Sequence, residues 1–300
     1  MKQQLFFTSF ALAVVAVLFN FWKISETHAQ TNNTQQVTIK FQAMVGDKPF
    51  SCGNSYTGLG KPATTLTLSD SRFYVSDVAL IDEKGKLAPL TLNQDGKWQY
   101  QNVALLDFEN KTGACANGTV ETRDIVVGSV PPGNYKGLQF TLGVPFNLNH
   151  EDATVASSPL NLTSLWWNWR GGYKFMRIDL QPNSAISAGM KHQDKHESVG
   201  FPIHLGSTGC ESVGDNQKPS SCSHPNTAKV ILGNFIPNKN VVIADLKALV
   251  ADTNLTGNQT NTAPGCMSEP TDTDCSGIMA NIGLPFNGKF SPGQTFFKVK

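Results

Sequence analysis

Val37, Ile39 and Phe41 alternate with Thr38, Lys40 and Gln42, the two-residue period of a strand with one face buried and the other wet. The same beat returns at Leu138, Phe140 and Leu142, and at Met176, Ile178 and Leu180 interleaved with Arg177 and Asp179. Residues spaced this way gather on one side of a strand but scatter around a helix. The chain must therefore stack sheets. Turn-forming residues at Glu83-Lys84-Gly85, Gln94-Asp95-Gly96 and Pro131-Pro132-Gly133-Asn134 separate the apolar runs. Helical periodicity is confined to two short stretches, Ala244 to Ala251 and Ser276 to Leu284. The expectation is an all-β, single-domain β-sandwich with one or two short helices and long loops over Asn147 to Leu165 and Gln181 to Gly200. Loops of that kind on a rigid sheet are where function concentrates.

The first residues have the pattern of an export signal. Lys2 supplies a positive start, Leu5 to Phe21 is mostly apolar, and Thr27-His28-Ala29 ends in a small residue suited to cleavage. This assigns 1–29 to a signal peptide and 30–300 to one mature domain beginning near Gln30. Retention of the apolar run as a membrane anchor, with Lys23 at its border, is the competing reading. A formal net charge of +1 with 16% charged residues leaves no Lys/Arg cluster to neutralise a row of phosphates, so no nucleic-acid partner is expected.

In an exported chain six cysteines can all pair. Cys210 and Cys222 enclose a short polar loop, as do Cys266 and Cys275, which leaves Cys52 to meet Cys115. Metal thiolates are the alternative. They fit less well, because the compartment is oxidising and no C-x-x-C pair is present.

Three tryptophans fall within four residues in Leu165-Trp166-Trp167-Asn168-Trp169-Arg170-Gly171-Gly172-Tyr173-Lys174-Phe175. Each indole is bulky and brings an N–H that needs a partner when buried, so such density marks a surface or a site. The histidines outside the signal are few. His192 and His196 stand four apart in a polar segment that reads as solvated loop, and His224 follows Cys222 in a Cys-x-His pair whose thiolate disappears once Cys222 is oxidised. His150 ends Gly143-Val144-Pro145-Phe146-Asn147-Leu148-Asn149-His150, and His204 lies in the apolar run Phe201-Pro202-Ile203-His204-Leu205. No catalytic set stands out. Gly206-Ser207-Thr208-Gly209 lacks the spacing of a nucleophile elbow, and Glu151 and Asp152 read as loop acids, so an enzyme is not expected.

The ordered motifs Ser51-Cys52-Gly53-Asn54, Arg72-Phe73-Tyr74-Val75, Leu105-Leu106-Asp107-Phe108-Glu109, GVPFNLNH, WWNWRGGYKF, HLGSTGC and Gly265-Cys266-Met267-Ser268 together resemble the MbnP family, also described as the metallo-mystery-pair four-Cys-motif family. The likeness runs from about Val37 to Leu284. It implies an exported copper-binding protein, periplasmic or at the cell surface with possible outer-membrane association, serving copper acquisition or homeostasis. It also implies a partner, a diheme cytochrome c peroxidase-like enzyme related to MauG, that converts a Trp to kynurenine.

Carried onto this chain, the resemblance makes His150 and His204 the candidate imidazole ligands, with the modified residue at Trp167 or Trp169. Trp169 is favoured because Arg170-Gly171-Gly172 leaves it beside accessible backbone. Opening the indole ring yields an aryl amine and a ketone, and two imidazoles with that group suit Cu(I). Trp166 stands where relatives often carry Phe or Tyr and reads as a packing residue, while Ser76 stands where some relatives carry His. The reading from another class is a carbohydrate-binding module that stacks sugars on the Trp cluster.

Overall fold

The structure, a computed structural model, describes residues 33–182, 200–212, 214 and 217–300. The expected signal segment 1–29 lies outside these residues, as do His192 and His196.

The alternating segments form strands and pack as a sandwich of two sheets. In the first sheet the strand Gln35–Val45 is central, parallel to Val241–Asp245 on one side and antiparallel to Ile125–Val130 on the other. In the second, the long strand Thr64–Asp82 pairs antiparallel with Met176–Pro182, with Tyr135–Leu142 and with Val103–Asp107. Met176–Pro182 in turn carries Phe201–Leu205 at the sheet edge.

The apolar side of each strand turns to the space between the sheets. There Phe41 of the first sheet meets Phe73 and Phe140 of the second edge-to-face, at centroid separations of 6.3 and 5.7 Å. Phe140 also meets Phe297 at 5.1 Å. Such aromatic pairs add about 0.5–1.5 kcal/mol each beyond the area they bury.

The outer face of the second sheet is covered too, which is why Thr64–Asp82 is buried on both sides along most of its length. On that face Tyr74 Oη donates to the Pro159 carbonyl at 3.0 Å and Tyr173 Oη donates to that of Leu160 at 2.5 Å. These two phenols pin the expected long loop after Asn147 onto the sheet. Among the described residues no helix is long and apolar enough to cross a membrane.

Both expected short helices exist but are trimmed. The first covers Leu246–Leu249, because Ala244 and Asp245 continue the strand opposite Ala43 and Met44, and the Asp245 side chain then accepts from Lys247 N. The second covers Ser276–Asn281. The disulfides are Cys52–Cys115, Cys210–Cys222 and Cys266–Cys275, as the spacing implied. Removing such a bridge from a small exported domain costs about 2–5 kcal/mol.

Candidate metal centre around the tryptophan hairpin

The Trp-rich run folds as its own two-stranded hairpin, Trp166–Asn168 against Gly172–Tyr173, outside both main sheets. Asn168 closes the turn by accepting from Arg170 N at 3.0 Å and Gly171 N at 2.7 Å. Gly172 has φ +74° and the Asn149 backbone against it, so any side chain there would be both strained and obstructed. Asn149 Oδ1 accepts from Tyr173 N at 2.9 Å, and its amide donates to Ser207 Oγ at 3.2 Å. One buried asparagine thus joins the hairpin, the loop and the segment after His204.

The three indoles have different surroundings. Trp166 packs against the core, with Nε1 buried and unpartnered among the described residues. Trp167 lies over Gly206, where a Cβ would collide with the indole and with the Tyr173 carbonyl. It also lines an open cavity of about 530 Å³ together with Asn168, Ser207, Cys210, Met267 and Glu269. Trp169 is half-buried, and the Arg170 guanidinium sits 5.3 Å from its ring centroid.

His150 is 3% exposed, with Phe146 edge-on at a centroid distance of 5.0 Å. Its Nδ1 is 3.1 Å from the Trp169 carbonyl and its Nε2 is 3.2 Å from Asn149 Nδ2. A carbonyl only accepts and an amide nitrogen only donates, which assigns the ring proton to Nδ1 and a lone pair to Nε2. Burial lowers the pKa of this histidine against the opposing effect of the Trp169 hydrogen bond. It is held neutral.

His204 occupies a different setting, on the edge strand of the second sheet, with its N–H donating to the Cys266 carbonyl at 2.8 Å. Its Nε2 donates to Asp179 Oδ1 at 2.8 Å. Asp179 also receives Arg177, whose Nη2 is 2.6 Å from Oδ2, and Arg177 Nε reaches Asp70 Oδ2 at 3.1 Å. Asp70 in turn holds fully buried Arg72 through two hydrogen bonds of 2.8 and 2.5 Å. Burial raises the Asp179 pKa, but the His204 hydrogen bond and Arg177 outweigh it and hold the carboxyl at about 2. Burial also outweighs Asp179 at His204 and lowers its pKa.

Both histidines therefore share one arrangement. Each ring donates one N–H to a fixed protein oxygen and keeps the other nitrogen as a potential ligand, as metal-binding imidazoles commonly do. His150 reaches residue 169 through the main chain rather than the indole. Among the described residues, His204 belongs to no three-ligand cluster, whereas His150 Nε2 clusters with Cys210 and Cys222, whose sulfurs are joined in a disulfide.

Two elements of this site escaped the sequence reading. The chain Asp70–Arg72–Arg177–Asp179 had a signal in its i, i+2 charges inside apolar strands, where two facing charged rows imply pairing. Asn149 had none beyond its place beside His150. Ser76 is fully buried on the same outer face, with an Oγ that has no partner among the described residues.

A disulfide-stapled all-β sandwich, with a Trp hairpin tied to buried His150 and with a second oriented imidazole, His204, on a sheet edge, defines a class of β-sandwich proteins that offer imidazole donors near clustered indoles. The chain belongs to the MbnP family, whose profile matches residues 34–268. It is similar in structure to MbnP from Methylosinus trichosporium, at 30% sequence identity and TM-score 0.75, over 89% of this chain and 98% of that one. No curated protein sequence matches. Membership of the family supports a copper-related function, and three disulfides fit an oxidising, exported setting.

Proposed function

We propose that this protein captures copper as Cu(I) outside the cytoplasm through His150 and His204, assisted by a kynurenine formed from Trp167 or Trp169. The observation that carries this reading is the matched state of the two imidazoles. Both are neutral, both are buried, and both are oriented by a hydrogen bond on the nitrogen that a metal would not use. Such donors suit copper better than hard cations. When bound, the metal would gain charge neutralised by no thiolate, which favours the univalent ion.

A diheme MauG-related enzyme is the proposed partner for the Trp conversion, in which both atoms of dioxygen open the indole to N-formylkynurenine and water then hydrolyses it to kynurenine and formate, a net mass change of two oxygens less carbon monoxide. Trp167 and Trp169 both lie on an accessible hairpin, while Trp166 is committed to packing. The carbohydrate reading has less support. A sugar platform needs free aromatic faces, yet Trp167 is laid on Gly206 and Trp169 carries Arg170.

Co-expression with the partner tests the conversion. Fragmentation of the peptide spanning 165–174 should then place the mass change on Trp167 or Trp169. Unmodified tryptophan at both positions in protein from native cells expressing the partner would overturn this part of the reading.

A further inference from the structure

We propose that the Cys210–Cys222 bridge covers a second copper(I) site, formed when the disulfide is reduced and composed of both cysteine sulfurs with His150 Nε2. It borrows His150 from the function proposed above but needs neither His204 nor a modified tryptophan.

The three ligand atoms already lie within 4.8 Å of one another. His150 Nε2 is 3.5 Å from Cys222 Sγ. With the ring proton on Nδ1, and with no hydrogen on a disulfide sulfur, that contact is not a hydrogen bond; the lone pair accepts from Asn149 Nδ2 at 3.2 Å, a bond that a metal held beside the two sulfurs would replace. Metal bonds of about 2.0 Å to nitrogen and 2.3 Å to sulfur place ligand atoms about 4 Å apart or closer. Parting of the two sulfurs is the main movement required. Two thiolates and one imidazole make a soft donor set that selects Cu(I).

This bridge is also the one a reductant reaches. Cys115, Cys266 and Cys275 are buried at 0–1% exposure, so each of the other two disulfides has at least one shielded half. Cys210 and Cys222 are both half-buried, and Cys210 lines the open cavity beside Trp167. They stand directly opposite each other in the hairpin Thr208–Glu211 and Ser221–His224, which pairs with no other strand among the described residues. Opening the bridge therefore frees only its own hairpin and leaves both main sheets intact.

The exchange balances with a dithiol reductant. Its first thiolate attacks one cysteine sulfur and forms a mixed disulfide, and its second thiolate resolves that intermediate. The reductant leaves as a disulfide, and two electrons and two protons pass to Cys210 and Cys222. Binding of Cu(I) then displaces the two thiol protons without further electron transfer.

The test uses the mature chain under anaerobic conditions, reduced with limiting dithiothreitol, desalted, and titrated with Cu(I) against a chromogenic chelator. Alkylation mapping should find the new thiols at Cys210 and Cys222. In His204→Ala, where the first site no longer competes for the His150 nitrogen, the reduced protein should take up about one more equivalent of Cu(I) than the same variant oxidised and gain an ultraviolet sulfur-to-copper band. Reduced protein blocked with iodoacetamide, and the Cys210→Ser/Cys222→Ser variant, should show no such gain. Reduced His150→Ala should bind the added ion about tenfold more weakly or worse. No gain on reduction, or an equal gain in the blocked protein, overturns the proposal. The oxidised protein separates the two sites, because its copper binding depends on His204 and the reduction-dependent gain does not.

Discussion

His150 donates through Nδ1 to the main-chain oxygen of Trp169 across 3.1 Å, so loop and Trp hairpin are tied by backbone rather than by stacked rings. That tie dictates the tautomer of the ring. Long-range nitrogen NMR should find His150 protonated at Nδ1 and His204 protonated at Nε2 near neutral pH. The opposite assignment at His150 would leave Nε2 without a lone pair for a metal.

Asp179 should behave as a stabilising carboxylate with a pH signature. Its folded pKa is about 2, below its ordinary value of 3.8, so its contribution is complete above about pH 4 and is lost as pH falls toward 2. That contribution is about 2 kcal/mol. Asp179→Asn leaves Arg177 with Asp70 as its one carboxylate partner, beside the Ser164 carbonyl, and should cost about 3 kcal/mol, read by denaturant unfolding at pH 7. The acid-induced loss between pH 4 and 2 should become shallower in the variant.

Asp107 should act in the opposite sense. It is fully buried in register with Arg72, whose charge Asp70 already balances, and burial pushes its carboxyl up to about 8. A group that keeps its proton in the fold stabilises below its unfolded pKa and loses that effect as pH rises through 8. Asp107→Asn should therefore flatten the fall in stability between pH 4 and 8. An unchanged slope would contradict the assignment.

Gly206→Ala should dislodge Trp167, because the new methyl meets the indole on one side and the Tyr173 carbonyl on the other. The expected cost is about 1–3 kcal/mol, with a red shift in tryptophan fluorescence as the ring swings toward water. An unshifted spectrum would mean that Trp167 has room to spare.

The fold was legible because its strands alternate cleanly, as at Val37, Ile39 and Phe41, and because six cysteines close loops of unequal length. The site was legible in its residue types but not in its pairings. His204 gave no hint of Asp179, since the two meet only through strand register, 25 residues apart. The Trp run makes a hairpin of its own before the strand Met176–Pro182, a consequence of Asn168 closing the turn and Asn149 holding Tyr173. Such side-chain closures lie outside any two-residue period.

Cu(I) affinity of the oxidised protein, measured by chelator competition for the parent, His150→Ala and His204→Ala, tests copper capture most directly. The account predicts tight binding by the parent, loss of about tenfold or more in each variant, and release in acid as protons compete for the imidazoles. Parent-like affinity in both variants would contradict it.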